Sequence, residues 1–111
     1  MAREGGPATD FGRGWFAKAA LIRGRDRFTC RRCGRKWTLV DGPLWPVDHI
    51  IPRRLYATLE EANRNANLVL LCPGCHGWKT ARAERLALRG DRHDMTGYLR
   101  ALGLRSVAGS Q

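Results

Sequence analysis

The chain has 111 residues, with twenty Lys and Arg against ten Asp and Glu, a formal charge of +10. That length bounds it to one small domain, and so short a chain buries little apolar surface per residue, so a covalent or metal staple is expected. No stretch reaches the roughly eighteen apolar residues of a spanning helix, and Met1-Ala2-Arg3-Glu4-Gly5-Gly6-Pro7 lacks the apolar run of a secretory signal, so the expectation is a cytoplasmic protein without a membrane partner.

Seventeen of the twenty basic residues are arginine, whose planar fork suits phosphate and base edges, so the favoured partner is a polyanion, nucleic acid first. Residues 1–12 are Gly- and Pro-containing and non-periodic, which predicts a flexible arm before a domain over 13–103 with its core at 28–90. Trp15, Phe16, Ala19, Ala20, Leu21 and Ile22 predict an amphipathic helix from about Trp15 to Arg23, ended by Gly24, with both aromatics as core anchors. Trp37 to Val40 and Leu44 to Ile50 read as two strands joined at Asp41-Gly42, a hairpin turn signal, with Pro46 marking an edge or the entry into the sheet.

Thr58 and Glu61 have the spacing of a capping box around a short helix. Leu68 to Leu71 is an apolar run too brief for a helix. A helix is expected from Cys75 or His76 to Leu88, closed by Gly90, then a last one from Asp94 to Leu102, stopped at Gly103. Residues 104–111 read as a flexible tail, and His93 as a surface residue.

Cys30, Cys33, Cys72 and Cys75 form two Cys-x-x-Cys pairs separated by thirty-eight residues. Four thiolates suit a tetrahedral zinc and leave no open position, which predicts a structural ion clipping distant segments together, with Gly34 easing the exit from the first knuckle. Asp48-His49 at a strand end and His76 just after the second knuckle form a second polar cluster. An Asp oxygen and a His nitrogen can hold a divalent cation that leaves positions for water and phosphate, and a neighbouring histidine can take a proton from water. Alternation along a regular strand puts Asp48 and His49 on different faces, so one site for both needs a twist or a place at the strand's end. The bland alternative makes His49 a hydrogen-bonding cap and His76 a helix-start residue or a further zinc ligand.

The series Cys30-x-x-Cys33, Val47-Asp48-His49-Ile50-Ile51-Pro52 and Asn67-Leu68-Val69-Leu70-Leu71-Cys72-x-x-Cys75-His76-x-x-Lys79-Thr80 resembles the HNH endonuclease family, more narrowly its compact four-cysteine zinc members encoded near phage packaging genes. The resemblance spans roughly residues 28–82. It implies a small α+β fold, the ββα-metal (His-Me finger) motif, stapled by the four-cysteine zinc and flanked by short helices. It also implies hydrolysis of phosphodiester bonds in duplex DNA, as nicking or weakly specific cleavage. In it His49 is the general base, Asp48 and His76 hold a catalytic divalent ion (magnesium or manganese first, nickel or zinc as alternatives), and Asn67 orients the loop that bears the histidine. The family's further ligand one turn after His76 is replaced here by Thr80, a weak donor.

Phosphate contacts are expected from Arg31, Arg32, Arg35, Arg53, Arg54, Lys79, Arg82 and Arg85. The phage resemblance implies work beside terminase and portal proteins in a host cytoplasm. The alternative is a non-catalytic four-cysteine zinc module that binds DNA or serves as an adaptor, which would not need Asp48, His49, Asn67 and His76 together.

Overall fold

The computed structural model describes residues 14–85 and 96–105. Its first element, α1, spans Trp15–Arg25. Gly24 lies within this helix, and the end comes at Asp26, whose amide donates to the Ile22 carbonyl at 2.9 Å. Only Ala19 and Ile22 of α1 are fully buried, one turn apart, while Phe16 is 86% exposed, so of the two expected aromatic anchors only Trp15 packs on the core. After α1 the chain turns through Arg27 and Phe28, both at positive φ, and enters the first cysteine knuckle. An isolated antiparallel bridge between Thr29 and Lys36 brackets that knuckle, and Gly34 leaves it at φ 85°. A side chain on Gly34 would be strained there, and would also press on the Arg105 guanidinium at 3.0 Å.

The expected hairpin over 37–50 does not form. Leu39–Asp41 is a 3-10 turn, and the Asp41 carboxylate accepts the Thr38 amide at 2.8 Å and pairs with Arg35. Such local bonds from a side chain to the backbone compete with a sheet ladder, and Asp41 keeps a negative φ where a tight hairpin turn needs a positive one. Leu39 and Val40 are 86% and 94% exposed, so no core face holds them in a strand.

The sheet instead joins β1 (Val47–His49), entered just after Pro46, to β2 (Leu68–Leu70), antiparallel, with Val47 opposite Leu70, Asp48 opposite Val69 and His49 opposite Leu68. Between them lie a 3-10 turn at Arg53–Leu55, the short helix α2 (Leu59–Ala62) with its Thr58/Glu61 capping box, and a 3-10 turn at Asn65–Asn67. The run Leu68 to Leu71 is entirely buried and forms the centre of the core with Ile22, Cys30, Trp45 and Val47. Each such aliphatic side chain removed from water contributes about 1.5–3 kcal/mol.

From β2 the chain passes into α3 (Pro73–Trp78), which continues through a π turn at Lys79–Ala83. The helix starts two residues before the expected Cys75, because Pro73 sits at its first position with φ preset and no amide to lose. Its expected end at Gly90 lies outside the described residues, as do His93 and the arm over 1–12. The last helix, α4 (Thr96–Leu102), buries Tyr98 and Leu102 against Ile50, Ile51, Trp78 and Leu104. The chain beyond Gly103 does not begin as a loose tail: Leu104 is half-buried, and the Arg105 amide donates to the Arg31 carbonyl at 2.8 Å.

Asp26 ties these layers together. Fully buried at the end of α1, it accepts from Arg25 Nε at 2.7 Å, Arg31 Nη1 at 3.2 Å and the Leu70 amide at 3.0 Å. Arg25 reaches on to the Leu68 carbonyl at 2.7 Å, so one ion pair fixes the register of α1 against β2. The result is a small α+β fold with a two-stranded antiparallel sheet flanked by helices.

Candidate active site and metal centre

The two knuckles meet. Sulfurs of Cys30, Cys33, Cys72 and Cys75 all lie within 4.8 Å of one another, and those of Cys33 and Cys72 are 3.8 Å apart. A tetrahedral zinc with Zn–S bonds of about 2.3 Å sets its sulfurs about 3.8 Å apart, so the donor set fits that ion. The first pair comes from the bridged turn after α1, and the second from the start of α3, where Cys72 is the N-cap. Arg32 Nη1 approaches Cys75 Sγ at 3.6 Å, while its guanidinium lies 3.7 Å over the Trp78 ring. Burial pushes the Cys75 thiol up to about 12 and raises that of Cys33. Burial also opposes ionisation of Cys30, but the amides of Cys33, Cys72 and Arg32 outweigh it and bring that thiol down to about 7.

The second cluster sits on the other side of the bond between Cys75 and His76. Asp48 Oδ2 lies 2.8 Å from His76 Nδ1, and Oδ1 accepts the His49 amide at 2.8 Å. Lys79 Nζ stands 3.5 Å from the same Oδ2 and pairs with Glu84. The His76 side chain is 52% exposed, that of Asp48 15% and that of Lys79 1%. The expectation that Lys79 contacts phosphate therefore fails: its ammonium is enclosed beneath Asp48. Lys79 thus sits between two carboxylates, those of Asp48 and Glu84.

His49 is buried, and its partners differ from those of Asp48 as strand alternation requires. Its ring stacks on Trp15 at 5.7 Å and 17°, and Nε2 is 2.7 Å from Asn63 Oδ1. Asn67 is buried beside it: Oδ1 accepts the Ile51 amide at 2.9 Å, and Nδ2 donates to the carbonyls of Ile51 at 3.1 Å and Ala62 at 2.9 Å. It thus clamps the backbone two residues past His49 to the end of α2.

These motifs now stand in one spatial order, and they match known proteins in sequence. The family profile described as HNH endonuclease matches residues 30–82. A protein of Lactococcus phage SK1 named "Probable HNH endonuclease" is 35% identical over 74 residues, covering 64% of this chain and 73% of that protein.

The chain belongs to the HNH endonuclease family.

No solved structure matches the chain significantly. Within this HNH nuclease the structure brings Asp48 to His76 and the four cysteines to one another, and seats His49 and Asn67 around the exit of β1. Thr80, one turn past His76, is exposed.

The expected basic contacts divide. Arg31 is committed to Asp26 and to the Arg105 carbonyl, Arg32 to Trp78 and Cys75, and Arg35 to Asp41. Arg53, Arg82 and Arg85 are exposed, and Arg54 is exposed while lying 3.9 Å from Glu84. Four neighbours of the site escaped the sequence reading: Asn63 and Trp15 at His49, Glu84 at Lys79, and Tyr98, whose hydroxyl donates to the Ile50 carbonyl. Only Asn63 carried a signal, as the polar residue that follows the Thr58 capping box and helix.

Proposed function

We propose that this HNH nuclease cleaves duplex DNA by hydrolysing phosphodiester bonds, with His49 as general base and Asp48 and His76 as ligands of a divalent cation. The observation that carries the reading is the 2.8 Å approach of His76 Nδ1 to Asp48 Oδ2, next in sequence to the buried, clamped His49. One carboxylate oxygen and one imidazole nitrogen, the latter half-exposed, are a donor set suited to a divalent ion that keeps positions for water and a phosphate oxygen. Such an ion, magnesium or manganese first and nickel or zinc as alternatives, would supply charge stabilisation at the phosphate. The cysteine zinc, fully ligated by sulfur, would have no part in the chemistry.

In this reading His49 takes the proton of the attacking water, and an imidazole is suited to that work near neutral pH. Asn67 keeps the loop after His49 in register through its paired bonds to Ile51. The exposed Arg53, Arg54, Arg82 and Arg85 supply phosphate contacts, which give affinity and salt dependence with little sequence choice, so nicking or weakly specific cleavage follows. The proposal includes a setting in genome packaging beside terminase and portal proteins, and pull-down of either by the purified chain tests it.

The deciding experiment is plasmid nicking with magnesium, manganese, nickel or zinc, comparing wild type with His49→Ala at equal cysteine-bound zinc. Cleavage by the wild type alone is expected. Absence of cleavage with every metal would leave the rival reading, a four-cysteine zinc module that binds DNA without cutting it.

A further inference from the structure

We infer that Asn63 is the positioning residue for His49, holding its imidazole in the Nε2–H tautomer so that Nδ1 is the unprotonated nitrogen. The inference rests on the reading of His49 as general base. An amide oxygen can only accept, so the 2.7 Å contact between Asn63 Oδ1 and His49 Nε2 requires the proton on Nε2. With the Nε2 proton directed at Asn63 Oδ1, the acceptor nitrogen of the ring is Nδ1. Which ring nitrogen acts is thereby set by the bond the other makes.

Asn63 is itself held from several directions. It caps the C-terminus of α2 with φ −91° and ψ 11°, its amide donating to the Leu59 carbonyl at 2.9 Å. Its own carbonyl accepts Lys18 Nζ from α1 at 3.0 Å. The Trp15 ring, also from α1, lies nearly parallel to the imidazole and limits its rotation. The preceding residue, Ala62, gives its carbonyl to Asn67, which grips the backbone after His49. One end of a four-residue helix therefore fixes both the main chain two residues past His49 and the ring of His49, through Asn67 and Asn63 respectively. A base held this way is pre-oriented before DNA arrives, which lowers the reorganisation needed for reaction.

The test uses the full-length, zinc-loaded protein. Long-range proton–nitrogen correlation of the labelled wild type is expected to show the Nε2–H tautomer of His49. A Nδ1–H tautomer, which a turned-over Asn63 amide would produce by donating to Nε2, would overturn the proposal without any variant. Asn63→Leu is expected to lose the tautomer preference and to slow single-turnover nicking by about 10- to 100-fold, the range for removing an orienting partner. DNA affinity by anisotropy and zinc content should stay at wild-type values in that variant. Asn63→Asp, which keeps an acceptor oxygen, is expected to restore the tautomer and most of the rate. Nicking by Asn63→Leu at the wild-type rate, with His49→Ala inactive, removes Asn63 alone. Nicking by His49→Ala at the wild-type rate removes the general-base reading and this inference with it.

Discussion

His76 Nδ1 stands 2.8 Å from Oδ2 of Asp48, a carboxylate twenty-eight positions earlier in the chain. The two come together because β1 and α3 are joined through β2, whose last residue is followed within two positions by the N-cap cysteine of α3. The four-cysteine cluster holds both Cys72, the N-cap of that helix, and Cys75, the residue just before His76. Replacing the half-exposed His76 by Ala should leave the fold and cysteine-bound zinc in place and weaken manganese uptake by at least about 10-fold. Calorimetric titration of the zinc-loaded protein measures this, and unchanged manganese affinity would remove His76 from the ligand set.

Zinc uptake should be strongly pH-dependent. Burial raises the thiols of Cys33 and Cys75, the latter to about 12, so both hold their protons at pH 7.5 until metal displaces them. Acidification adds protons that zinc must expel, so affinity falls as pH falls and rises with it. At least two protons per zinc, those of Cys33 and Cys75, should be released at pH 7.5. Calorimetry in buffers of differing protonation enthalpy counts them; a release below one would contradict the thiol assignments.

Asp26→Ala should cost about 3–5 kcal/mol, because it strands the buried Leu70 amide and leaves two guanidinium groups facing each other without their carboxylate. The two arginines are mostly enclosed, with side-chain exposures of 28% for Arg25 and 20% for Arg31, so water replaces the lost partner poorly. The midpoint of denaturant unfolding reports the loss. A change of a few tenths of a kcal/mol would mean that the register of α1 on β2 is held by apolar packing alone.

Tyr98→Phe removes the hydroxyl that donates to the Ile50 carbonyl, where α4 meets the end of β1. Burial raises the phenol above its ordinary range, so the donor keeps its proton and the anchor persists through mildly alkaline pH. The substitution should destabilise the domain by about 1 kcal/mol. Faster hydrogen exchange confined to α4 and the β1 exit would accompany it, and uniform exchange across the domain would argue against a local anchor.

Arginine substitutions should separate DNA contact from stability. Removing the exposed Arg82 should lower the slope of log affinity against log salt by about one, at unchanged melting temperature. Removing Arg31 should instead lower the melting temperature, since its guanidinium is held by Asp26 and the Arg105 carbonyl. The reverse assignment in filter-binding and melting measurements would exchange their roles.

The cysteine spacing, the Thr58/Glu61 cap and the buried run Leu68 to Leu71 were legible because each is a local pattern whose chemistry has few solutions. Four thiolates in two pairs favour one metal, a capping box satisfies its own helix start, and four successive apolar residues must be enclosed. The hairpin at Asp41-Gly42 was misread for a related reason. Its turn signal is local, but the choice between a ladder and a capped turn depends on whether Leu39 and Val40 find a core to face, and they do not. In the same way, arginine count does not reveal which guanidinium groups are spent on Asp26 and Trp78.

Residue type and order by themselves were enough for the family and for a four-cysteine set suited to a structural zinc, and they singled out Asp48, His49, Asn67 and His76 as the residues proposed for the site. Tertiary structure alone decided which groups surround them. The pairing of β1 with β2, and not with 37–40, carries Asp48 to His76 and Lys79, and it leaves His49 to Trp15 and Asn63. Those partners come from α1, the end of α2 and α3, and only packing of the elements against the Leu68–Leu71 core sets their distances, because a hydrogen bond across the fold is fixed by the backbone positions of both ends.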